Sequence, residues 1–465
     1  MDAPSCQGCR ERDQRIDQLE RRVAELEAKL ARLLGRNSSN SSMPPSANPP
    51  GAPPPVTKEP TGRKPGGQPG HTAQTRIRLP PERVAKTKDF LPATCEKCQH
   101  PLSAERGPTD PDPVWHQVAE LPKVLVEVTE YLGHARTCGC CGHVNHAVIP
   151  EEIRAHAFGP RFTAVISALT GMFQNSKRDA ETFTETVFGT PIALGTITAA
   201  EQEISAALAA PYAEAAKAAQ EAPANNLDET SWKLGKLKYW LWTAVSSMCT
   251  FFVIHPKRGA EALNTLFQRA FAGIVTSDRW LVYKRFPVRR RQLCWAHLIR
   301  DFQRLFETSG PGKKIGGELL CFADDIFNFW YRVRDGTLKR STFRHYVNEQ
   351  RPWLRDLLSE GAAGGCAKTA AFCREILNLE PALWTFARVE GVEPTNNAAE
   401  RALRKAVLWR KRSFGCKSVA GCRFVERMLT TVKTLQQHKR PVLEFLVEAI
   451  TAHRKGRQAP QLLPG

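Results

Sequence analysis

Apolar residues near the N-terminus recur at alternating three- and four-residue spacing: Ile16, Leu19, Val23, Leu26, Leu30 and Leu33, with charges between them. That is the seam of a coiled coil over nearly three heptads, so residues 1–34 are expected to form an oligomerisation helix and the chain a homo-oligomer. The alternative is an amphipathic helix docked on its own chain. The pattern then vanishes. Residues 35–80, with GRNSSNSSMPPSANPPGAPPP and GRKPGGQPGH, are rich in Asn, Ser, Pro and Gly and predict a disordered basic linker. Helical periodicity fills 151–222, with helices predicted over 160–173, 179–187 and 196–209 and a break at FGTPIALG. From residue 226 the period shortens to that of strands, over 226–232, 239–246 and 250–255. An amphipathic helix (259–271), a strand (273–276), a further strand (292–295) and a helix (296–306) follow. Helical runs at 319–333 and 370–387 precede a helix over 396–411, and a helical segment closes the chain over 416–465.

Three antiparallel strands, a helix and two further strands are the order of the ribonuclease-H-like fold. The expectation is therefore an α/β catalytic domain over 223–415, with an all-α insertion at about 310–390. A crossover helix joins parallel strands, which places the fourth strand beside the first. Asp228 and Asp278 then meet near one edge of the sheet. On the helix beginning near Asn396, Glu400, Leu403 and Val407 share a face, with Thr395 as the cap and Pro394 keeping the approach extended. Glu400 is either an ion-pair partner of Arg401 or Arg404, or the third acid of a site shared with Asp228 and Asp278. In the ribonuclease-H-like fold, two acids on central strands and one on a later helix hold two Mg²⁺ (or Mn²⁺) ions. In-line displacement at phosphorus needs that arrangement, because charge develops on both the attacking and the leaving oxygen.

Composition sharpens the choice of partner. The excess of 66 Lys+Arg over 47 Asp+Glu gives a formal charge of +19 and points to a polyanion, most simply double-stranded DNA. No apolar run is long enough to span a membrane and no signal-peptide pattern opens the chain, so a cytoplasmic, nucleoid-associated protein with no membrane partner is expected. Among 14 Cys, Cys95/Cys98 and Cys138/Cys141 have the spacing of zinc knuckles, which predicts a structural Zn²⁺ in a module over 81–150. Cys140 competes with Cys138 as ligand. A strand over 124–132 would bring the knuckles together. The helical pair within 151–222 fits a helix-turn-helix DNA reader. Arg63, Lys64 and His71 in the linker, Arg289, Arg290 and Arg291, and Arg410, Lys411 and Arg412 are expected along a DNA backbone, with a solvated face as the alternative. His297 has two readings, contact with a scissile phosphate or metal-bound water, or a buried and satisfied imidazole.

Taken together, the linker motifs, the CxxC pairs, FGPR, LDET, SDRWLVY, QLCWAHLIRDF and PTNNAAERALR resemble, in this order, the IS66 family of transposases, bacterial insertion-sequence enzymes of the DDE class. The resemblance implies that Asp228, Asp278 and Glu400 are the catalytic, metal-binding triad, and that Arg401, Arg404 and His297 are candidates to support it. It further implies cleavage at the element's terminal inverted repeats and joining to target DNA, without a covalent protein–DNA intermediate, alongside companion proteins of the same element. Two rivals remain at this stage: a catalytically silent protein that occupies element ends, and a nuclease of the same fold without strand transfer.

Overall fold

The computed structural model describes residues 78–464 except 109, 122–125 and 268–269, together with Arg15, Ile16, Glu20, Val23 and Glu27. Those five N-terminal residues are helical, with Ile16 and Val23 exposed. The rest of the predicted coiled coil and the linker bearing Arg63, Lys64 and His71 lie outside the described residues.

The chain divides into two compact units, residues 36–125 and the remainder. In the smaller unit the described residues hold a 3₁₀ turn at Pro81–Arg83 and a reciprocal pairing of the Leu79 backbone with the Gln117 side chain. They also hold a tight turn closed by the Thr94–Pro101 bridge.

From residue 126 onward, the first regular structure of the larger unit is an antiparallel hairpin, β1 (Ala135–Thr137) and β2 (Val144–His146). The strand expected over 124–132 is not there: residues 126–132 have no regular structure. Val128, Tyr131 and Leu132 are exposed, so no sheet face buries their alternation. Five helices follow: α1 (Glu151–Arg154), α2 (Pro160–Gly171), α3 (Lys177–Phe188), α4 (Leu194–Ala207) and α5 (Ala209–Glu221). A capping box of Ser176 and Asp179 starts α3, and Gly189, at φ 63°, ends it. The inner stripe of α4, Ile197, Ala200, Ile204 and Ala207, is buried. The outer face of α4 has no Lys or Arg and carries Glu201 and Glu203, which pair with Lys177 and Arg454. Such a face is a poor match for a phosphate backbone, and the recognition-helix expectation finds no support there.

The sheet comprises β3 (Ala224–Leu234), β4 (Leu237–Val245), β5 (Thr250–His255), β6 (Ile274–Ser277) and β7 (Arg291–Leu293), in the order β5-β4-β3-β6-β7. β3, β4 and β5 are antiparallel; β6 runs parallel to both β3 and β7. The crossover helix α6 (Ala260–Leu266) is shorter than its predicted span. Next come α7 (Trp295–Phe306), α8 (Pro311–Arg334), α9 (Arg340–Ala363), α10 (Ala367–Leu379) and α11 (Thr385–Arg388). Of these, α8 to α10 build a core of their own with α7, including Leu319, Ile326, Phe343, Leu358 and Ile376. Gly316 lets α8 lie against the end of α7, where a Cβ would fall 2.3 Å from the Phe306 nitrogen. The chain then returns to the sheet as α12 (Asn397–Ser413), α13 (Val419–Gln437) and α14 (Val442–Arg454).

Edge strand β5 would leave backbone donors unpaired. Glu426, Thr430 and Thr434, spaced one helical turn apart on α13, accept from the nitrogens of Ile254, Phe252 and Thr250 at 2.6, 3.1 and 3.2 Å. Helix side chains thus do the work of a sixth strand.

A second set of ties sets the start of α12. Thr395 does not cap it; Asn396 takes the N-cap position, and its side chain makes no capping bond. Asn396 is instead buried, with Nδ2 donating to the Leu227 carbonyl at 2.7 Å and its backbone nitrogen donating to Cys294 Sγ at 3.1 Å. The Cys294 nitrogen in turn donates to the Ser277 carbonyl at 2.8 Å, and the Trp295 nitrogen to the Pro394 carbonyl at 2.9 Å. Replacing Asn396 by Ala strands a buried carbonyl, an expected loss of about 1–3 kcal/mol, whereas Thr395→Ala is expected to change stability by less than about 0.5 kcal/mol. Thermal unfolding of the two variants beside the wild type checks both values.

Candidate active site

Asn226 of β3 stands opposite Thr276 of β6, and Asp228 and Asp278 each lie two residues further on. Neighbouring strands run about 4.8 Å apart, so the register brings the two acids to the same end of the parallel pair. Asp278, just past β6, accepts from the Trp280 nitrogen at 2.9 Å, and its carbonyl accepts from Ser277 Oγ and Arg291 Nη2. Asp228 accepts from the Glu229 nitrogen at 2.9 Å.

Burial pushes the Asp228 carboxyl up to about 7; the neighbouring charges of Glu229, Asp278 and Glu400 add to that rise, against the Glu229 N–H that favours the ion. Three acids from β3, β6 and α12 therefore share one electrostatic neighbourhood. Glu400 sits in the first turn of α12. Its nearest cationic atoms are His297 Nδ1 at 3.7 Å and Arg300 Nη2 at 3.8 Å, both from α7. Arg401 and Arg404 are exposed and supply neither. Glu400 Oε1 and His297 Nδ1 are buried without a hydrogen-bond partner. His297 is held below its ordinary value by burial first and Arg300 second, against the pull of Glu400, Asp278 and Asp301. It is therefore not a satisfied core imidazole.

Asp278, His297 and Arg300 line a cleft of about 420 Å³, together with Arg258, Arg279, Trp280, Asp301, Arg304 and Glu375. Among the described residues, the potential ligand atoms lying within 4.8 Å of one another belong to Cys294, His297 and Glu400. Cys294 is a weak member of that trio. Burial pushes its thiol up to about 11, and its sulfur already accepts from Asn396. What remains of the trio is one imidazole and one carboxylate, with an unpartnered oxygen on Glu400.

Glu229 was not anticipated from the sequence. Arg258 Nε and Nη2 donate to its Oε1 at 2.9 and 2.7 Å, and Tyr283 Oη donates to its Oε2 at 2.6 Å. Its local signal is the second acid of the LDET run, but its partners lie 29 and 54 residues away.

The predicted basic set divides. Arg291 is 1% exposed, because the third residue of its arginine run is the first of β7, so it is no surface contact. Arg410 is half-buried and spent on β3, donating to Thr230 Oγ1 at 3.1 Å, to the Ser231 carbonyl at 2.6 Å and to Ser231 Oγ. Arg289, Arg290, Lys411 and Arg412 are exposed.

The two CxxC turns, each within its own unit, repeat one hydrogen-bond pattern. The Cys95 nitrogen donates to the His100 carbonyl and the Cys138 nitrogen to the His143 carbonyl, at 2.9 and 2.8 Å. Backbone N–H groups of Cys98 and Lys97 lower the Cys95 thiol, and those of Cys141 and Cys140 lower Cys138. In this pattern Cys138 corresponds to Cys95, and Cys140 occupies the intervening turn.

A family model described as "Transposase IS66 family" matches residues 156–423, more than half of the chain. A second, "Family of unknown function (DUF6444)", matches residues 7–77. The chain is also 23% identical over 254 residues to "Uncharacterized protein y4qI" of Sinorhizobium fredii (strain NBRC 101917 / NGR234), a match covering 48% of this chain and 46% of that protein. The family match encloses all three acids, both faces of the cleft and the helical insertion, and the chain belongs to the IS66 family of transposases.

Proposed function

We propose that this protein cuts DNA at insertion-sequence ends and joins those ends to target DNA by two-metal phosphoryl transfer, using Asp228, Asp278 and Glu400. The observation that carries the reading is the register that brings Asp228 and Asp278 to one end of the parallel β3–β6 pair; the rise of Asp228 to about 7, caused first by burial and Glu229 and further by Asp278 and Glu400, agrees with it. A carboxyl raised by burial and by neighbouring acids favours a cation beside it. The sheet order and the parallel β3–β6 pair support a ribonuclease-H-like fold for this part of the chain.

Mg²⁺ or Mn²⁺ held by these oxygens would stabilise the charge that develops on the attacking and leaving oxygens of the phosphodiester. Asp228 and Asp278 are fixed by adjacent strands, and Glu400 stands in the first turn of a helix tied at Asn396 and acts on Asp228 electrostatically. His297, held below its ordinary value by burial and Arg300, stands 3.7 Å from Glu400 and faces the same cleft. Arg289, Arg290, Lys411 and Arg412, all exposed, are the cations this reading assigns to DNA backbone. Each CxxC turn, Cys95/Cys98 and Cys138/Cys141, supplies a pair of thiolate candidates for structural Zn²⁺, with Cys140 outside the pairs. Homo-oligomerisation through the N-terminal helix, companion proteins of the same element and a cytoplasmic, nucleoid-associated location complete the reading. No helix among the described residues is long and apolar enough to cross a membrane. A silent DNA binder has no use for three converging acids, which favours the enzyme.

Three outcomes are expected. Asp228→Asn, Asp278→Asn and Glu400→Gln each abolish movement of a marker flanked by the element's ends, with duplex affinity held within about twofold because no phosphate-binding cation is lost. Loss of DNA binding together with folding in all three would sink the assignment.

The second outcome concerns pH. The folded-state pKa of Asp228 is raised to about 7 from an unfolded value near 4, so between these limits the folded state holds a proton that the unfolded state lacks. Stability contributed by that proton is present at low pH and is lost as pH rises through about 7. Metal-free Asp228→Asn protein should therefore unfold at a higher temperature than wild type at pH 8, with the gap closing toward pH 4. Millimolar Mg²⁺ should stabilise wild type more than the variant.

Third, Cys95→Ser and Cys138→Ser each lower bound zinc, whereas Cys140→Ser leaves the stoichiometry unchanged. Colorimetric zinc release reads all three.

A further inference from the structure

The strand and the helix that carry Asp228 and Glu400 run side by side and meet again far from the acids. Leu234, at the end of β3, bridges Cys416 beyond α12; the Gly235 nitrogen donates to the Cys416 carbonyl at 2.7 Å, and the Cys416 nitrogen to the Lys233 carbonyl at 2.9 Å. The β3–β4 hairpin tip and the α12–α13 loop therefore form one surface. Seven residues of strand beyond Asp228, or fourteen of helix beyond Glu400, put it about 20 Å from the acids.

Its composition is one-sided. Lys233, Lys236 and Lys238 come from the hairpin and Lys411, Arg412 and Lys417 from the loop, and all six are exposed. Neither residues 231–241 nor 401–425 contain an Asp or Glu. None of the six makes an ion pair among the described residues. Among these cations stand three exposed apolar side chains: Leu237 (63%), Phe414 (74%) and Val419 (67%).

Phe414 is the unusual one. It terminates α12 in the left-handed region, at φ 58°, a position that Gly or Asn fills with less strain and that bulky side chains rarely occupy. The neighbouring glycine cannot exchange with it. A Cβ on Gly415 would lie 2.4 Å from the Lys233 carbonyl oxygen, so glycine is required where the loop touches β3. The ring at 414 is then held outward by a strained backbone and packs against little of its own chain. Lys238 Nζ lies 4.9 Å from the centroid of the Trp240 ring, but none of the six cations is neutralised by an acid among the described residues, and strain at an exposed aromatic amid them calls for a partner that is both anionic and stackable.

We propose that this surface binds the DNA duplex leading away from the acids, with the six cations on its phosphates and Phe414 wedged against a base step. At 3.4 Å per base pair, the contact falls about six base pairs from the reacting phosphodiester. The proposal rests on the transposase reading for its register, not for its chemistry. Duplex DNA is favoured over a lipid surface because the apolar component is one ring and two short side chains dispersed among charges, too little to anchor in a bilayer.

The test uses the full-length protein and a fluorescein-labelled 30-base-pair duplex, titrated in EDTA across a range of salt. Phe414→Asn should weaken binding by about fivefold or more while keeping or raising the unfolding temperature, because asparagine tolerates the left-handed backbone. Lys236→Ala/Lys417→Ala should flatten the slope of log K against log salt by about two. Duplex affinity unchanged in both variants overturns the proposal. So does a lower unfolding temperature for Phe414→Asn, which would make the ring a packing residue. A shift in sedimentation without a change in duplex binding would assign the surface to a second copy of the chain and overturn it as well. Because these measurements need no metal and no catalysis, failure of the transposase reading would appear separately, as wild-type protein that binds duplex but never moves a marker.

Discussion

Buried Asn396 is the point on which the geometry of the site depends. Through one side-chain amide and one backbone nitrogen it joins the carbonyl before Asp228 to the sulfur of Cys294, whose own nitrogen is tied to the residue before Asp278. Four residues after Asn396 comes Glu400. The three acids are thus located by hydrogen bonds among their neighbours rather than by contacts among themselves, since ionised carboxylates repel one another. Cys294 fits the role because its burial keeps it a neutral thiol that can accept from an amide without adding a fourth negative charge. The same scaffold accounts for the unpaired oxygen on Glu400: a carboxylate held in place from outside has no need of a partner inside.

How much of this the sequence disclosed depends on the range over which each signal acts. Period-two alternation is local, so the strands around Asp228, Thr243 and Phe252 and the crossover to Asp278 were legible, as were α2, α3 and α12 from helical spacing. The partners of Glu229 were not, since Arg258 and Tyr283 reach it only after the chain has folded back. Arg291 and Arg410 show the complementary failure. Each sits in a run of cations that reads as surface, yet one begins strand β7 and the other reaches across to β3, and composition cannot say which member of a run turns inward. Thr395 failed as a cap because Asn396, one residue later, is committed to Leu227, a tertiary demand that overrides the local preference.

Electrostatics divides the protein's positive charge into two kinds. Around the cleft, cations are committed: Arg258 to Glu229, Arg279 to Asp301 and Glu375, Arg304 to Asp301. Such pairs hold helices and strands in register and leave little net attraction for a polyanion. On the hairpin and the α12–α13 loop, the six exposed cations make no ion pair among the described residues, and residues 231–241 and 401–425 contain no Asp or Glu. The formal charge of +19 is therefore not spread evenly in its effect, and the residues able to attract DNA from a distance are not those that line the site where it would react.

The long insertion between Asp278 and Glu400 can be accommodated because its two ends are fastened to the same strand. It departs through α7, directly after β7, and on its return Thr385 Oγ1 donates to the Arg291 carbonyl at 2.6 Å, the Phe386 nitrogen to Gln292 Oε1 at 2.8 Å, and Trp295 Nε1 to the Leu383 carbonyl at 3.0 Å. With departure and return pinned, the helices between can vary in length without moving α12. They are not inert, however. Glu375 on α10 crosses to Arg279, the residue after Asp278, and with Asp301 fixes that guanidinium at the mouth of the cleft. An insertion that only spaced the acids would have no reason to reach back to the residue beside one of them; this one closes a wall of the site, so its packing on α7 and the shape of the cleft are a single structural quantity.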